Sequence, residues 1–361
     1  MPVRRARRAR PAVVLGALAL VGFGTATALG GSSGDPAPSA GTVAQTDAAA
    51  SRARYRRPDA IPFPAANPYS DAKARLGHAL FFDPRLSGSG AMSCASCHNP
   101  TLGWEDGMPT GRGEAANTLG RSTPTVLNVA WAEPLMWDGR AESLEHQALG
   151  PIQATEEMNL PVPVLVARLS AVPGYRRMFR DAFGREEVTP EGIAAALATF
   201  QRTIVSNLAP FDRWAVGDEG AVGEDAKRGF ALFNGRANCA ACHSGWRFTD
   251  DGFHDIGLRS QDVGRGAHLP DLPAMRHAFK TPTLRNIASR NPYMHDGSAR
   301  TLRDAVLHYD TGYVERPSLS PEMRRIGLTP REVDDLVAFL RSLSSEDDPV
   351  LAPVLPTEEK P

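Results

Sequence analysis

The sequence predicts a mostly α-helical protein of two similar domains, and three observations lead there. The pattern Cys-x-x-Cys-His occurs twice, as CASCH at 94–98 and CAACH at 239–243, and the 361-residue chain has no other cysteine. The stretches preceding the motifs repeat: Gly77-His78-Ala79-Leu80-Phe81 and Gly229-Phe230-Ala231-Leu232-Phe233. Elsewhere the signals are helix caps and helical apolar periodicity, without the alternation that builds a sheet.

Taken in order, the chain opens with five arginines in its first ten residues and then the apolar run AVVLGALALVGFGTATALG. A positive stretch followed by an apolar one ending in small residues marks 1–30 as a cleavable export signal, which places the protein in a periplasm. An uncleaved membrane anchor is the alternative, although the run is short and Gly-rich for a span. Residues 31–57 are expected to be a disordered linker and the Pro-rich residues 347–361 a disordered tail. Between them lie an N-terminal domain, 58–215, and a C-terminal domain, 216–346. Net charge is −1, and removing the five leading arginines leaves the remainder near −6. No global basic field exists to attract nucleic acid.

Within the domains, Thr189-Pro190 supplies an N-cap and an N1 proline for EGIAAALATFQRTIVSN. Thr329-Pro330-Arg331-Glu332 is a capping box, after which Val333, Leu336, Val337 and Leu340 share one face.

Two Cys-x-x-Cys pairs in an exported chain could be disulfides, redox pairs or halves of a zinc site. The histidine directly after each pair, His98 and His243, points instead to covalent haem c. Cys94, Cys97, Cys239 and Cys242 would take the vinyl groups, and each histidine would face the iron. The fold class is therefore two cytochrome c-like domains, each around one covalently bound c-type haem. After each motif comes an aromatic residue and then acid, GWEDG at 103–107 and RFTDDGF at 247–253.

With two haem motifs in place, two further stretches acquire meaning. They are PTVLNVAWAEPLMWDGRAESLEHQALGPIQATEEM at 124–158 and FKTPTLRNIASRNPYMHDGSARTLRDAVLHY at 279–309. Together they resemble the bacterial di-haem cytochrome c peroxidase and MauG family over roughly residues 58–345. The resemblance implies that peroxide binds at the N-terminal haem, with His98 as proximal ligand. It implies that Trp137 relays electrons between the haems, and that Gln147 and Glu157 form the distal pocket. A carboxylate beside a neutral hydrogen bonder suits a reaction that moves a proton from one oxygen to another. Glu156 is the neighbouring competitor.

Two departures separate this chain from the family's ordinary peroxidases. Those have a histidine after the first motif that closes the sixth position. Here no histidine lies between His98 and His146, so the first haem is expected to be open, with Met108 as the alternative ligand. The ordinary peroxidases also ligate the second haem with a methionine, and the matching position is Tyr309. Thr301 caps that helix, whose inward face runs Leu302, Val306, Tyr309; His308 should point elsewhere, and Met294 is the rival ligand. A phenolate favours higher oxidation states where a thioether favours Fe(II). Both departures are features of MauG.

The resemblance thus implies a di-haem oxidoreductase using H2O2, or O2 plus electrons, to oxidise tryptophan in a partner protein. For MauG itself that partner is the methylamine dehydrogenase precursor, in tryptophan tryptophylquinone biogenesis, and the resemblance implies the same partner class here. The alternative is a cytochrome c peroxidase fed by a small redox protein. A passive carrier has no use for a proton-handling pocket. The family's surface tryptophan before the second motif is Ala237 here, with Trp246 as the candidate substitute. Its calcium site would use the carbonyls of Arg290 and Pro292, with Ser122 at the side-chain position.

Overall fold

A computed structural model describes residues 51–357; the export signal lies outside them. The first half contains α1 (Asp71–Phe82), α2 (Cys94–Cys97), α3 (Leu144–Ala148), α4 (Gly150–Gln153), α5 (Val162–Ser170), α6 (Pro173–Phe183) and α7 (Pro190–Thr203). The second contains α8 (Pro210–Ala215), α9 (Glu224–Asn234), α10 (Leu302–Leu307) and α11 (Pro330–Ser342). The two short strands β1 (Phe253–His254) and β2 (Phe279–Lys280) pair antiparallel, Phe253 opposite Lys280.

Each half is organised by one helix crossing, and the repeated Gly-x-Ala-Leu-Phe explains it. Gly77 of α1 lies against the Ala196 carbonyl of α7, and Gly229 of α9 lies against the Asp335 carbonyl of α11. A Cβ at either glycine would come well inside 3.0 Å of that oxygen. Only glycine lets these backbones approach so closely. The leucine and phenylalanine that follow then fill the core beside the crossing: Leu80 and Phe81 in one half, Phe233 in the other.

The predicted caps form. Thr189 accepts from the Gly192 N–H, and Thr329 and Glu332 make the reciprocal box at the start of α11. The buried face of α11 is Val333, Leu336 and Leu340 with Phe339; Val337 is half-buried.

Three stretches near the expected boundaries pack into the described structure. Residues 51–57 are not a loose linker. Tyr55 is buried, stacks on Phe248 at 4.6 Å and donates to Asn234 Oδ1 at 2.6 Å, while Arg52 donates to the Trp214 carbonyl. One aromatic anchor outweighs an Ala- and Ser-rich composition. Helix α8, assigned to the first domain by a boundary at 215, contributes Phe211 and Trp214 to the second core. The tail is also in place through residue 357. Asp347 accepts from the Asn207 N–H and from Asn286 Nδ2, and the Pro356 carbonyl accepts from Arg85 across on the first half.

Candidate haem sites

On the side of the two motifs, the halves share one construction. Cys94 and Cys97 sit on the single turn α2, whose start is closed by Ser93 and Ser96. Cys239 begins a 3-10 turn with Asn238 in left-handed backbone before it. The following histidines cap these turns, His98 N–H donating to the Cys94 carbonyl at 2.8 Å and His243 N–H to the Cys239 carbonyl at 2.9 Å.

Each imidazole is then held through Nδ1. His98 Nδ1–H donates to the Trp104 carbonyl at 3.2 Å, and His243 Nδ1–H to the Phe248 carbonyl at 2.8 Å. Trp104 and Phe248 both have positive φ, 63° and 55°, which turns their carbonyls back toward the histidines. Those are the aromatic residues of GWEDG and RFTDDGF. Burial holds both imidazoles below their ordinary pKa, so they are neutral with Nε2 available. A metal-binding histidine needs this second hydrogen bond. The four cysteines form no disulfide, and burial pushes the Cys94 and Cys239 thiols up to about 12. The residues fit covalent haem on both sides.

The opposite walls differ. In the first half a cavity of about 820 Å³ is lined by Cys94, Cys97, His98, Trp137, Gln147 and Glu157. Gln147 is on α3, capped by Ser143, and its Nε2 lies 3.9 Å from Met136 Sδ. Glu157 is half-buried in the loop after α4. Burial pushes its carboxyl above the ordinary range, Arg140 pulls it back and Glu156 adds a further push. Glu156 itself is exposed. Met108 is 38% exposed and outside the cavity lining, so the structure does not support it as a ligand.

In the second half the cavity is narrower, about 200 Å³, and Leu302, Val306 and Tyr309 line it together with Cys239, Cys242 and His243. Thr301 caps α10 in a reciprocal box with Asp304, and after Leu307 the helix widens into a π turn, His308–Gly312, that carries Tyr309. Such π turns are frequent at functional sites. Burial, with Cys242 and Cys239 nearby, raises the Tyr309 phenol's pKa. His308 faces away, its Nε2 on the Ile256 carbonyl at 2.8 Å. Met294 also lines this cavity.

Trp137 lines both cavities. Its Nε1 donates to the Ser122 carbonyl at 2.9 Å, and its ring stands edge-on to His295 at 6.4 Å. Glu105 and Arg290, ion-paired at 3.0 Å, line both cavities too, and sequence reasoning missed that pairing; the partners are 185 residues apart. Arg290 also donates to the Thr283 carbonyl. Ser122 Oγ is engaged with the Met294 carbonyl at 2.9 Å. Ala237 is buried, and Trp246 packs edge-on to Trp131 at 4.8 Å outside both cavity linings.

Comparison with known proteins agrees with this construction. The family model "Di-haem cytochrome c peroxidase" matches residues 71–220 and the model "Cytochrome c" residues 226–344. The methylamine utilization protein MauG of Methylorubrum extorquens is 54% identical over 349 residues, 96% of this chain and 99% of that protein. The MauG of Methylophilus methylotrophus is 52% identical over 84% of this chain and 92% of its own. Among solved structures, a MauG-like protein associated with microbial copper homeostasis superposes with a TM-score of 0.74 at 31% identity, covering 80% of this chain and 95% of that one.

Proposed function

The chain belongs to the di-haem cytochrome c peroxidase and MauG family, and from that premise we propose how its two sites divide the work. It is a MauG-like di-haem oxidoreductase with haem c as cofactor. Cys94 and Cys97 with His98, and Cys239 and Cys242 with His243, would hold haem c, whose iron would supply reactivity toward peroxide and storage of oxidising equivalents.

In this reading the first half is the reactive one. Glu157 takes the proton that peroxide must lose, because a raised carboxyl lies closer to neutral pH than an ordinary one. Gln147 orients the reactant by hydrogen bonding. Tyr309, which lines the second cavity, would hold the second haem through its phenol oxygen. Trp137 carries electrons between the sites. The single observation behind the proposal is that Trp137 lines both the roomy cavity of Glu157 and the narrow cavity of Tyr309.

The protein substrate is a partner too large to enter either cavity. We assign it as the methylamine dehydrogenase precursor, whose tryptophans lose electrons through this enzyme to peroxide during tryptophan tryptophylquinone formation. The work takes place in the periplasm. Calcium would be held by the Arg290 and Pro292 carbonyls, with Ser122 Oγ, which donates to the Met294 carbonyl, at the side-chain position. Met294, lining the second cavity, favours the second reading: a peroxidase fed by a small redox protein.

A stoichiometric peroxide titration separates them. A long-lived oxidised state that a tryptophan-bearing partner discharges supports the first reading. Rapid turnover with reduced cytochrome c supports the second.

A further inference from the structure

Glu157 sits in a loop, and a loop does not hold a carboxylate at a fixed depth unless something pins it. Part of the pinning is local. The Glu157 and Asn159 N–H groups donate to the Ala154 carbonyl, and Leu160 N–H donates to the Ile152 carbonyl of α4. The rest comes from two other loops. Gly88 N–H donates to the Met158 carbonyl at 2.7 Å, and Glu114 N–H donates to the Glu157 carbonyl at 2.7 Å. Both loops approach through glycine. A Cβ on Gly88 would be 2.6 Å from the Asn159 oxygen, and one on Gly113 would fall inside the Glu156 carbonyl oxygen's contact distance.

The two loops are also tied to each other. Glu114 Oε1 accepts from the Ser89 N–H at 3.0 Å and from Ser89 Oγ at 2.8 Å. The 111–119 segment is internally braced by the Gly111–Leu119 backbone bond and the Arg112–Thr118 bridge. Arg112 and Gly113 themselves line the first cavity. The result is a closed ring: Gly88 to Met158, Glu157 to Glu114, Glu114 back to Ser89.

We propose that Gly113 and Glu114 are positioning residues, forming with Gly88 and Ser89 a clamp that sets how far the Glu157 carboxylate projects into the first cavity, where haem would bind. The inference rests on the reading of Glu157 as the proton-handling group. The titratable groups that act on Glu157 are Arg140, Glu156 on its own loop and the Cys97 thiol; Arg112 lines the same cavity.

Cyanide binding to the ferric holoprotein tests the clamp without turnover. HCN must give its proton to a base before the anion binds, so the association rate reports the placement of the carboxylate. The rate should fall as pH drops through the raised pKa of Glu157, where the carboxylate becomes protonated. Glu157→Gln should slow association about 100-fold and flatten the pH profile. Gly113→Ala should slow it about 10-fold, with the break moving toward ordinary glutamate values as the carboxylate retreats. Glu114→Ala, which releases Ser89 without adding bulk, should slow it several-fold, and Glu114→Gln should restore it because an acceptor oxygen remains.

If Glu157→Gln flattens the profile while Gly113→Ala and Glu114→Ala keep the parental rate and break, the clamp is wrong. A change confined to the thermal midpoint in Glu114→Ala overturns it equally. If Glu157→Gln changes nothing, the reading of Glu157 fails first.

Discussion

Asn128 and Asn286 hold the same place in the two halves, 158 residues apart in a repeat that runs from Thr125 and Thr283 onward. Both are in left-handed backbone. Asn128 N–H donates to the Ile204 carbonyl after α7, and Asn286 N–H donates to the Leu343 carbonyl after α11. Their side chains bind the serines two residues farther on, Ser206 and Ser345. The scaffold is thus one wiring diagram used twice, and the differences lie where that diagram faces the iron. At the same 158-residue offset Trp137 answers to His295, Gln147 to Ala305, and Pro151 to Tyr309. In the first half Gly150-Pro151 starts a new short helix, α4, and leaves the wall open. In the second the chain continues through the π turn and presents a phenol. Openness in one half and closure in the other come from a helix break against a helix extension, on the same support.

Tyr309→Phe removes that difference and has the largest expected effect. The second haem should lose its low-spin signal and its midpoint potential should move by on the order of 0.2 V. Electron paramagnetic resonance and spectroelectrochemistry read both. Two low-spin haems in the resting parent protein would break the comparison outright.

Arg290→Ala comes next. Ala132 holds the corresponding place in the first half, so the Glu105–Arg290 pair has no counterpart there. Its loss leaves Glu105 buried and unpaired, at a cost of about 3–5 kcal/mol in denaturant unfolding. A pH series sharpens this. Burial raises the Glu105 carboxyl from 4.5 to about 7 even with Arg290 beside it. The native state therefore binds more protons than the unfolded chain between those values, and stability falls as pH rises through that window. Without Arg290 the fall should extend to higher pH.

Gly77→Ala and Gly229→Ala should each cost about 3 kcal/mol, since a Cβ at either crossing forces the helices apart. Equal losses support the duplicated scaffold; a tolerated alanine in one half would break it. Gln147→Ala is the smallest change, about 1 kcal/mol in the barrier to cyanide or peroxide association, measured by stopped-flow absorbance with both haems intact.

Much of this was legible in the sequence because it is local. The Cys-x-x-Cys-His motifs, the Thr189 and Thr329 caps, the Gly-x-Ala-Leu-Phe repeat and the inward face of Tyr309 all need only a few neighbouring residues. The widening of the helix at His308 was not legible, because nothing in DAVLHY distinguishes a π turn from an α turn. Glu105 with Arg290 was hidden for another reason: the ion pair exists only once two distant loops meet. Segments 51–57 and 347–357 misled because composition averages over residues, whereas Tyr55 and Pro356 each act alone.

Pro356 carries one more consequence. It leaves the second half of the chain yet closes on Arg85 and packs against Gly174 in the first. A polypeptide delivered in order therefore finishes its earliest-made haem compartment last. Clipping a handful of residues from the far end should be felt first by the compartment encoded hundreds of codons upstream.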